Sequence, residues 1–390
     1  MISFRLFCSI LLFALYPSVS IAYDLLDLGR AATVDVLLEN AVRRGLIAGG
    51  VVVVGNHSGI RYSAAQGRLF PNSESPLLSE RTLFDTASLT KVLATAPAIM
   101  KLLEQGKLSL LDPLTRWFHE FEDTDREDIT LLNLLTHSSG MEDVEISSDD
   151  PLKCLIEKAI NQTSDPQPGN RFRYADINFI LLGELVKRVS QKTLDKFCSD
   201  EIYTPLGMDG TGFLPRNDLN LIAPTAGLNN ALKAGVVQDM NARRFGGVAG
   251  HAGLFSTGED VGRYAAMVLN HGTLNGSRIF SERVIAQMTS PYFYNGGKVI
   301  RGLGWDISSP YSSPRGMYFS DMSFGHTGYS GSSVWIDPEL DLYVILLTIR
   351  LDYSHVHQFN QLRSDISNLA VSIFSTPRIT TEIINDMKIP

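Results

Sequence analysis

The pattern of apolar and polar positions predicts a helix and a hairpin at the start of the chain. Apolar residues recur at helical spacing and predict a first helix that runs to about Gly45: Val34, Leu37, Leu38, Ala41 and Val42. The β-branched run Gly50–Gly55 and the following run Ile60–Gly67 are separated by turn-forming residues. These two runs therefore predict a β-hairpin.

The middle of the chain is predicted to be mainly helical. An apolar pattern of helical period extends from Ser88 to Gln105 and ends at Gly106, a residue suited to a helix C-cap. Pro97 lies inside this segment, so we expect a kink or a turn boundary there. Further helices are predicted at Thr130–Thr136, Pro151–Asn161, Asn178–Ser190, Thr193–Tyr203 and Gly258–Leu269.

Strands return near the C-terminus. Short apolar or alternating runs predict three strands, at Ser323–Gly328, Ser332–Asp337 and Leu342–Thr348. A closing helix is predicted at about Phe359–Phe374. Strands at both ends of a chain imply one antiparallel sheet, flanked here by N- and C-terminal helices. The expected fold class is α+β, with a sheet lobe at about 30–85 and 245–375 and an inserted all-helical lobe at about 86–244. A cleft between two such lobes is a usual place for a substrate.

The first residues resemble a secretory signal. Arg5 precedes the apolar run Leu6–Leu15, and small residues end at Ala22, where we expect cleavage. The mature domain would then comprise residues 23–390 and would be periplasmic or secreted, with membrane contact only if the signal stays uncleaved. The chain carries a formal net charge of −8 and has no basic run, which argues against a nucleic-acid partner.

The cysteines do not indicate a metal site. Cys154 and Cys198 could pair in an oxidising compartment, although two buried thiols are the interpretation that we favour. The chain has no CxxC and no tandem Cys/His pattern, so we expect no structural zinc, and no organic cofactor is implied.

The segment Ser88-Leu89-Thr90-Lys91 carries the strongest candidate chemistry. A spacing of three residues places the Ser88 and Lys91 side chains on one helix face, within hydrogen-bond reach. A serine hydroxyl becomes a good nucleophile only when a neighbouring base takes its proton. Because a short Ser-x-x-Lys pattern also arises by chance, the interpretation depends on the motifs that follow it.

Two later motifs supply further candidates. Tyr174-Ala175-Asp176 precedes a predicted helix, and a phenol near a lysine can act as base and then as acid, although a loop tyrosine and a helix-capping aspartate would look the same. His326-Thr327-Gly328 ends a strand that could bind the substrate backbone as an added strand. The next N–H, that of Tyr329, could form an oxyanion hole with the N–H of Ser88.

In this order, Ser88-x-x-Lys91, Tyr174-x-Asp176 and His326-Thr327-Gly328 resemble the serine β-lactamase and penicillin-binding-protein superfamily, and most closely its class C-like branch. The segments 134–140, 250–257 and 335–338 are similar as well, so the resemblance covers about residues 30 to 375. It implies a β-lactamase/transpeptidase-like fold, Ser88 as nucleophile, Lys91 and Tyr174 as the acid/base pair, and Asp176 as positioner. His326 and Thr327 would contact the substrate, whereas His137 and His251 are interpreted as loop-fixing or cleft-lining.

Two residues depart from the pattern of the superfamily. Asp176 stands where an asparagine is usual, and an extra carboxylate near Lys91 favours the charged lysine. We therefore hypothesise a cationic Lys91 with more of the proton transfer through Tyr174, and a shift of the acidic limb of the pH–rate profile in Asp176→Asn. His326 stands where β-lactamases usually have lysine, and a neutral imidazole attracts a β-lactam carboxylate less.

The resemblance and the predicted export favour hydrolysis of cell-wall peptides by a D-Ala-D-Ala carboxypeptidase-type enzyme or a muropeptide amidase. A carboxylesterase that cleaves small esters with the same residues is an alternative. A penicillin-binding sensor protein that deacylates slowly is another. Substrate choice is expected to depend on the acidic loop Gly140–Asp150 and on the region Tyr292–Arg301.

Overall fold

The structure is a computed structural model that describes residues 29–147, 149–162, 167–215, 222–226, 232–295 and 298–375. The predicted signal segment lies outside these residues. The helices are α1 (29–43), α2 (Ala96–Glu104), α3 (Leu131–Leu135), α4 (Pro151–Ile160), α5 (Asp176–Ser190), α6 (Leu194–Cys198), α7 (Thr204–Leu206), α8 (Met240–Arg244), α9 (Gly258–Leu269), α10 (Glu282–Thr289) and α11 (Val356–Phe374). None of the helices in these ranges is both long and apolar enough to cross a membrane.

The strands are β1 (Ile47–Asn56), β2 (Gly59–Gly67), β3 (Phe84–Asp85), β4 (Gly212–Phe213), β5 (Thr225–Ala226), β6 (Leu232–Lys233), β7 (Leu254–Ser256), β8 (Thr273–Leu274), β9 (Ser277–Arg278), β10 (Phe293–Asn295), β11 (Lys298–Arg301), β12 (Phe324–Thr327), β13 (Ser333–Asp337) and β14 (Leu342–Arg350). Five of them form an antiparallel sheet in the order β12-β13-β14-β1-β2. This order confirms that strands from both ends of the chain build one sheet.

Strand β1 lies inside the sheet, between β14 and β2, and its side chains are buried on both faces. Successive side chains of a strand point to opposite faces, so Val51 and Val53 pack with α9 and the helical middle, whereas Val52 and Val54 pack with α1 and α11. Fully burying one such side chain contributes about 1.5 to 3 kcal/mol. The continuous valine run is therefore explained by two cores that share one strand.

The predicted helix from Ser88 to Gln105 consists of three parts. A 3₁₀ turn at Ala87–Leu89 is followed by a π-helical turn at Lys91–Thr95 and then by α2. The segment is helical as predicted, although its first two parts are not α-helical, and Pro97 lies at a boundary, in the first turn of α2. Proline is tolerated there because the first turn needs no N–H donor.

The part of the chain between β2 and β12 is largely helical, but it also contains short strands. The predicted helix Thr193–Tyr203 is divided into α6 and a π-helical turn at Ser199–Tyr203, which α7 follows. Strand β4 pairs with β7, and β5 pairs with β6. The structure thus adds local β pairs to a region that we predicted to be all-helical.

Cys154 and Cys198 do not form a disulfide with each other. Cys198 is buried, and its thiol donates to the carbonyl oxygen of Ala94 at 3.5 Å. Cys154 on α4 is only half-buried. The preference for two thiols is therefore supported, although only one of them is buried as expected.

Candidate active site

Ser88 and Lys91 face each other at the start of the helical middle. Ser88 lies half-buried in the 3₁₀ turn after β3, and Lys91 is the first residue of the π-helical turn. The Nζ atom of Lys91 donates a hydrogen bond to Oγ of Ser88 at 3.1 Å. The predicted contact between these two side chains is thus present.

The ammonium group of Lys91 has three acceptors for its three N–H bonds. Besides Ser88 Oγ, it donates to Oδ1 of Asp176 at 2.7 Å and to the carbonyl oxygen of His251 at 3.2 Å. Burial alone would lower the pKa of Lys91, but the Asp176 carboxylate and then Tyr174 outweigh burial, so the pKa lies above its ordinary value. Lys91 is therefore a cation at neutral pH, in agreement with the hypothesis drawn from Asp176.

Tyr174 lies against the same ammonium group. Its ring centroid is 4.9 Å from Lys91 Nζ, and its ring stacks on that of His137 with centroids 4.5 Å apart. Burial raises the pKa of Tyr174, and the neighbouring Lys91 and Ser88 only partly oppose that rise. Tyr174 is consequently a neutral phenol that can both accept and donate a proton.

His137 holds the Tyr174 segment in place. It is fully buried, and its Nδ1 atom accepts a hydrogen bond from the backbone N–H of Ala175 at 3.2 Å. Burial and the nearby cations Arg301 and Lys91 keep the pKa of His137 well below its ordinary value. A neutral, buried ring with this contact fits the loop-fixing interpretation.

Asp176 is the first residue of α5, two positions earlier than the predicted start at Asn178. A carboxylate in the first turn is stabilised by the positive end of the helix dipole. Asp143, from the acidic loop, accepts a hydrogen bond from the backbone N–H of Ile177 at 3.1 Å. The acidic loop thus packs against the start of α5, where it supports Asp176.

The motif His326-Thr327-Gly328 runs along the outer strand β12, as predicted, and continues past its end. His326 is buried, and its Nδ1 atom lies 2.8 Å from the carbonyl oxygen of Thr327. Burial, followed by Arg301 and Lys91, lowers the pKa of His326 well below its ordinary value, so the ring is neutral. At Gly328, a Cβ atom would lie 2.5 Å from the carbonyl oxygen of Thr86. Only glycine therefore lets the end of β12 come this close to the 3₁₀ turn that carries Ser88, which we call the nucleophile turn.

The two backbone groups considered for an oxyanion hole are free to act as donors. Within the described residues, the N–H groups of Ser88 and Tyr329 have no hydrogen-bond acceptor. Both residues line the same two cavities. Their role stays a prediction, since the geometry gives the donors but not the oxyanion.

Ser88 lies between two cavities of opposite charge. The first, the acidic cavity, has a volume of about 450 Å³, and its charged or titratable lining comprises Tyr174, Asp176, Asp239, His251 and Tyr329. The second, the arginine cavity, has a volume of about 350 Å³. Among the described residues, its lining includes three arginines, Arg301, Arg350 and Arg363, and a single carboxylate, that of Asp306. A substrate that spans both cavities would place its anionic part on the arginine side.

Asp239 is a site residue that the sequence analysis missed. It caps α8 by accepting from the N–H of Ala242 at 2.7 Å, and it pairs with Nε2 of His251 at 2.8 Å. Together with Asp176, these side chains offer ligand atoms within 4.8 Å of one another, a spacing that could hold a metal ion. Their oxygens already bind Lys91 and His251, so the set is better explained as part of the hydrogen-bond network around Lys91. The only sequence signal for Asp239 is that it is an acidic residue directly before a short helix.

Arg301 was only indirectly indicated, because it ends a region expected to affect substrate choice. It is 1% exposed, and its Nη2 atom donates to the carbonyl oxygen of Gly304 at 2.7 Å. Its Nη1 atom lies 3.7 Å from Oδ1 of Asp306. No sequence pattern places this side chain beside Ser88, because the two lie more than two hundred positions apart in the chain.

Comparison with known proteins identifies the family. The model of the family described as Beta-lactamase matches residues 34–362. The chain belongs to the Beta-lactamase family. With its named relatives, membership makes it a serine hydrolase, and the predicted fold class is confirmed.

Two curated relatives and one solved structure illustrate the likeness. The chain is 29% identical to an N-acetylmuramyl-L-alanine amidase of Bacillus subtilis (strain 168), over 81% of this chain and 80% of that protein. It is 28% identical to a protein of Salmonella agona (strain SL483) named "Putative D-alanyl-D-alanine carboxypeptidase", over 70% of each. The structure of a Beta-Lactamase/D-Alanine Carboxypeptidase from Pseudomonas syringae superposes with a TM-score of 0.72 at 17% identity and covers 90% of this chain and 100% of that one, which shows the shared fold.

Proposed function

We propose that this chain is an exported hydrolase that cleaves an amide bond of cell-wall peptides through an acyl-enzyme on Ser88. The bond would be that of a D-Ala-D-Ala carboxypeptidase substrate or of a muropeptide amidase substrate. The observation that carries the proposal is the hydrogen bond from Lys91 to Ser88, at the junction of two cavities. The names of the amidase and carboxypeptidase relatives support the substrate class.

The proton balance of acylation follows from the charge states at the site. Lys91 is a cation and Tyr174 a neutral phenol, so neither is a free base at rest. As Ser88 Oγ bonds to the substrate carbonyl carbon, its proton passes to the Tyr174 oxygen while the phenol proton passes to the leaving nitrogen. The C–N bond then breaks, and Tyr174 is a neutral phenol again. Lys91 stabilises the developing negative charge on Ser88 Oγ throughout.

Deacylation reverses this path with water in place of the amine. Water bonds to the acyl carbon, its proton passes to the Tyr174 oxygen, and the phenol proton returns to Ser88 Oγ as the ester bond breaks. In both steps the N–H groups of Ser88 and Tyr329 would bind the carbonyl oxygen as it becomes negative. Loss of one such donor typically costs about 2.7 to 4 kcal/mol of transition-state stabilisation.

The arginine cavity favours a peptide with a carboxylate over an uncharged ester. Arg301, Arg350 and Arg363 are each at most 6% exposed. Within the described residues, each also has at least one buried side-chain nitrogen without a hydrogen-bond partner. Burial and then Arg350 lower the pKa of Arg363 to about 9, as expected for a buried cation beside a second cation. A substrate carboxylate bound in this cavity would help to compensate these positive charges.

Export supports the same substrate class but stands on the sequence alone. The apolar run and small-residue end of segment 1–22 predict secretion, and cell-wall peptides lie outside the cytoplasmic membrane. Detection of the protein in a periplasmic or culture-medium fraction, with an N-terminus at Tyr23, would support this part of the proposal. Retention of Met1 in a cytoplasmic fraction would contradict it.

The wall hydrolase is tested by incubating the mature protein with a mixed muropeptide digest and comparing products by mass spectrometry with those of Ser88→Ala. Loss of terminal D-Ala, or release of a stem peptide from its sugar, in the wild type alone would support the proposal and identify the bond. Turnover of short acyl esters with unchanged muropeptides would favour the carboxylesterase. A persistent adduct on Ser88 without steady-state product would favour the sensor.

A further inference from the structure

The turn that carries Ser88 has an unusual backbone conformation. Ala87, the residue before Ser88, has a φ of +48°, in the left-handed region that residues with a Cβ rarely adopt. The peptide bond that follows Ala87 carries the N–H of Ser88. The conformation of Ala87 therefore sets the direction of the N–H that is proposed to bind the oxyanion, and something must hold it there.

The side chain that holds this turn is Asp85. Its carboxylate is 1% exposed, and Oδ1 accepts a hydrogen bond from the N–H of Ala87 at 2.8 Å. Oδ2 accepts from the N–H of Gln238 at 2.6 Å, next to Asp239 in the wall of the acidic cavity. One buried carboxylate thus ties the nucleophile turn to the segment that carries Asp239.

A carboxylate suits this place for a specific chemical reason. When ionised, both of its oxygens accept, so it can hold two backbone N–H groups at the same time. An asparagine would accept with one oxygen and turn an NH₂ group against the other N–H. Burying a carboxylate is costly, so an apolar residue would be expected here if the position served packing alone.

We propose that Asp85 is a positioning residue that fixes Ser88 for acylation by holding Ala87 in its left-handed conformation. The inference rests on the proposed role of Ser88 as nucleophile. It assigns to Asp85 no contact with substrate, and it predicts an effect on the rate constant of acylation rather than on KM. It also predicts that the effect depends on the ionisation of Asp85, because only the ionised form accepts at both oxygens.

The surroundings of Asp85 set the pH range of this effect. Burial raises its pKa to about 6, against the hydrogen bonds from Gln238 and Ala87. Of the charged neighbours, Asp239 raises this pKa and Arg243 lowers it, and Tyr353 is the nearby phenol. With a pKa of about 6, the ionised fraction falls about tenfold from pH 7 to pH 5.

The test is the rate constant for acylation of Ser88 by p-nitrophenyl acetate, measured by the p-nitrophenol burst between pH 5 and pH 8. The wild-type rate constant should fall about tenfold from pH 7 to pH 5, following the ionised fraction. Asp85→Asn should be at least about tenfold slower at pH 7, with little pH dependence in this range and an unchanged KM. Adding Ala87→Gly to Asp85→Asn should restore part of the rate, because glycine adopts positive φ without support.

Asp260→Asn is the matched control, since Asp260 on α9 is also a buried carboxyl with a pKa of about 6 but contacts Gly210 and Thr211 instead. It should keep the wild-type rate and acidic limb. A flat wild-type profile from pH 7 to pH 5 would overturn the inference even if Asp85→Asn does not fold. Loss of turnover in Ser88→Ala beside a wild-type profile in Asp85→Asn contradicts the Asp85 inference alone. Full turnover in Ser88→Ala contradicts the proposed nucleophile, and the Asp85 inference with it.

Discussion

The ammonium group of Lys91 is joined to the carboxylate of Asp176 by a hydrogen bond of 2.7 Å at the start of α5. The Lys91 side chain is fully buried, and that of Asp176 is 29% exposed. An ion pair with one buried partner keeps its charges because removal of either charge would leave the other uncompensated. We therefore expect Lys91 to act as a fixed positive charge beside Ser88 and not as a resting base.

Asp176→Asn should change the alkaline side of the pH–rate profile. Without the carboxylate, the strongest influence that opposes burial is gone, so the pKa of Lys91 falls and the cation is lost at lower pH. Asp176 itself has a pKa below its ordinary value, so its own titration lies below the neutral range. From the sequence we expected Asp176→Asn to shift the acidic limb of the pH–rate profile. The structure indicates a shift of the alkaline limb instead. The check is kcat against pH from 5 to 11, with the surface variant Asp200→Asn as control; superimposable profiles would contradict the account.

Tyr174→Phe should lower kcat by about 10²- to 10⁴-fold, the usual contribution of a positioned acid/base group. The phenylalanine ring keeps the stack on His137 but cannot pass a proton from Ser88 to the leaving nitrogen. The check is steady-state kinetics with thermal melting as a folding control. Tyr62→Phe, which removes a phenol bonded to Asp35 on the far side of the sheet, should leave kcat unchanged. Comparable kcat values for Tyr174→Phe and the wild type would rule out the proton shuttle.

Arg301→Gln should weaken the preference for substrates with a free carboxylate. A hydrogen bond to a charged group contributes about 1.5 to 3 kcal/mol, which corresponds to roughly tenfold or more in kcat/KM. The measurement is the ratio of kcat/KM for a peptide with a C-terminal carboxylate to that for its carboxamide. The control is Arg263→Gln, an arginine paired with Glu259 on the exposed side of α9. An equal ratio in the wild type and Arg301→Gln would show that Arg301 does not contribute to the preference for a substrate carboxylate.

Gly328→Ala should disrupt the contact between β12 and the nucleophile turn. The added Cβ would meet the Thr86 carbonyl oxygen at 2.5 Å, so the strand must move away from Ser88. A displacement of about 1 Å can lower the rate about 10²-fold. Gly212→Ala adds the same methyl group to open space and should have little effect on kcat. Similar kcat values for the two variants would show that the approach of β12 is not needed.

The sequence predicted those features that depend on local periodicity and on short spacing. The valine run of β1 and the turn after it predicted the hairpin, and the i to i+3 spacing predicted the contact of Ser88 with Lys91. Motif order also predicted that Tyr174 and His326 lie near this pair, and their ring centroids are 5.9 Å apart. The roles assigned to these residues remain proposals.

The remaining parts of the site depend on contacts between distant segments. Asp239 and Arg301 reach the cavities only through the packing of α8 and β11, which no local pattern specifies. The break between the 3₁₀ and π-helical turns near Ser88 was missed because both turns keep an apolar pattern similar to that of an α-helix. Asp85 carries no sequence signal, since its two partners are backbone N–H groups that a sequence does not display.

The acyl-enzyme on Ser88 is tested most directly by locating the acyl group. The enzyme is mixed with p-nitrophenyl acetate, quenched in acid within the burst phase, digested and mapped by mass spectrometry. We expect acetylation of the peptide that contains Ser88, with fragment ions assigning it to Ser88, and no acetylated site peptide in Ser88→Ala. Acetylation of another residue during turnover, or equal turnover by Ser88→Ala, would contradict a Ser88 acyl-enzyme.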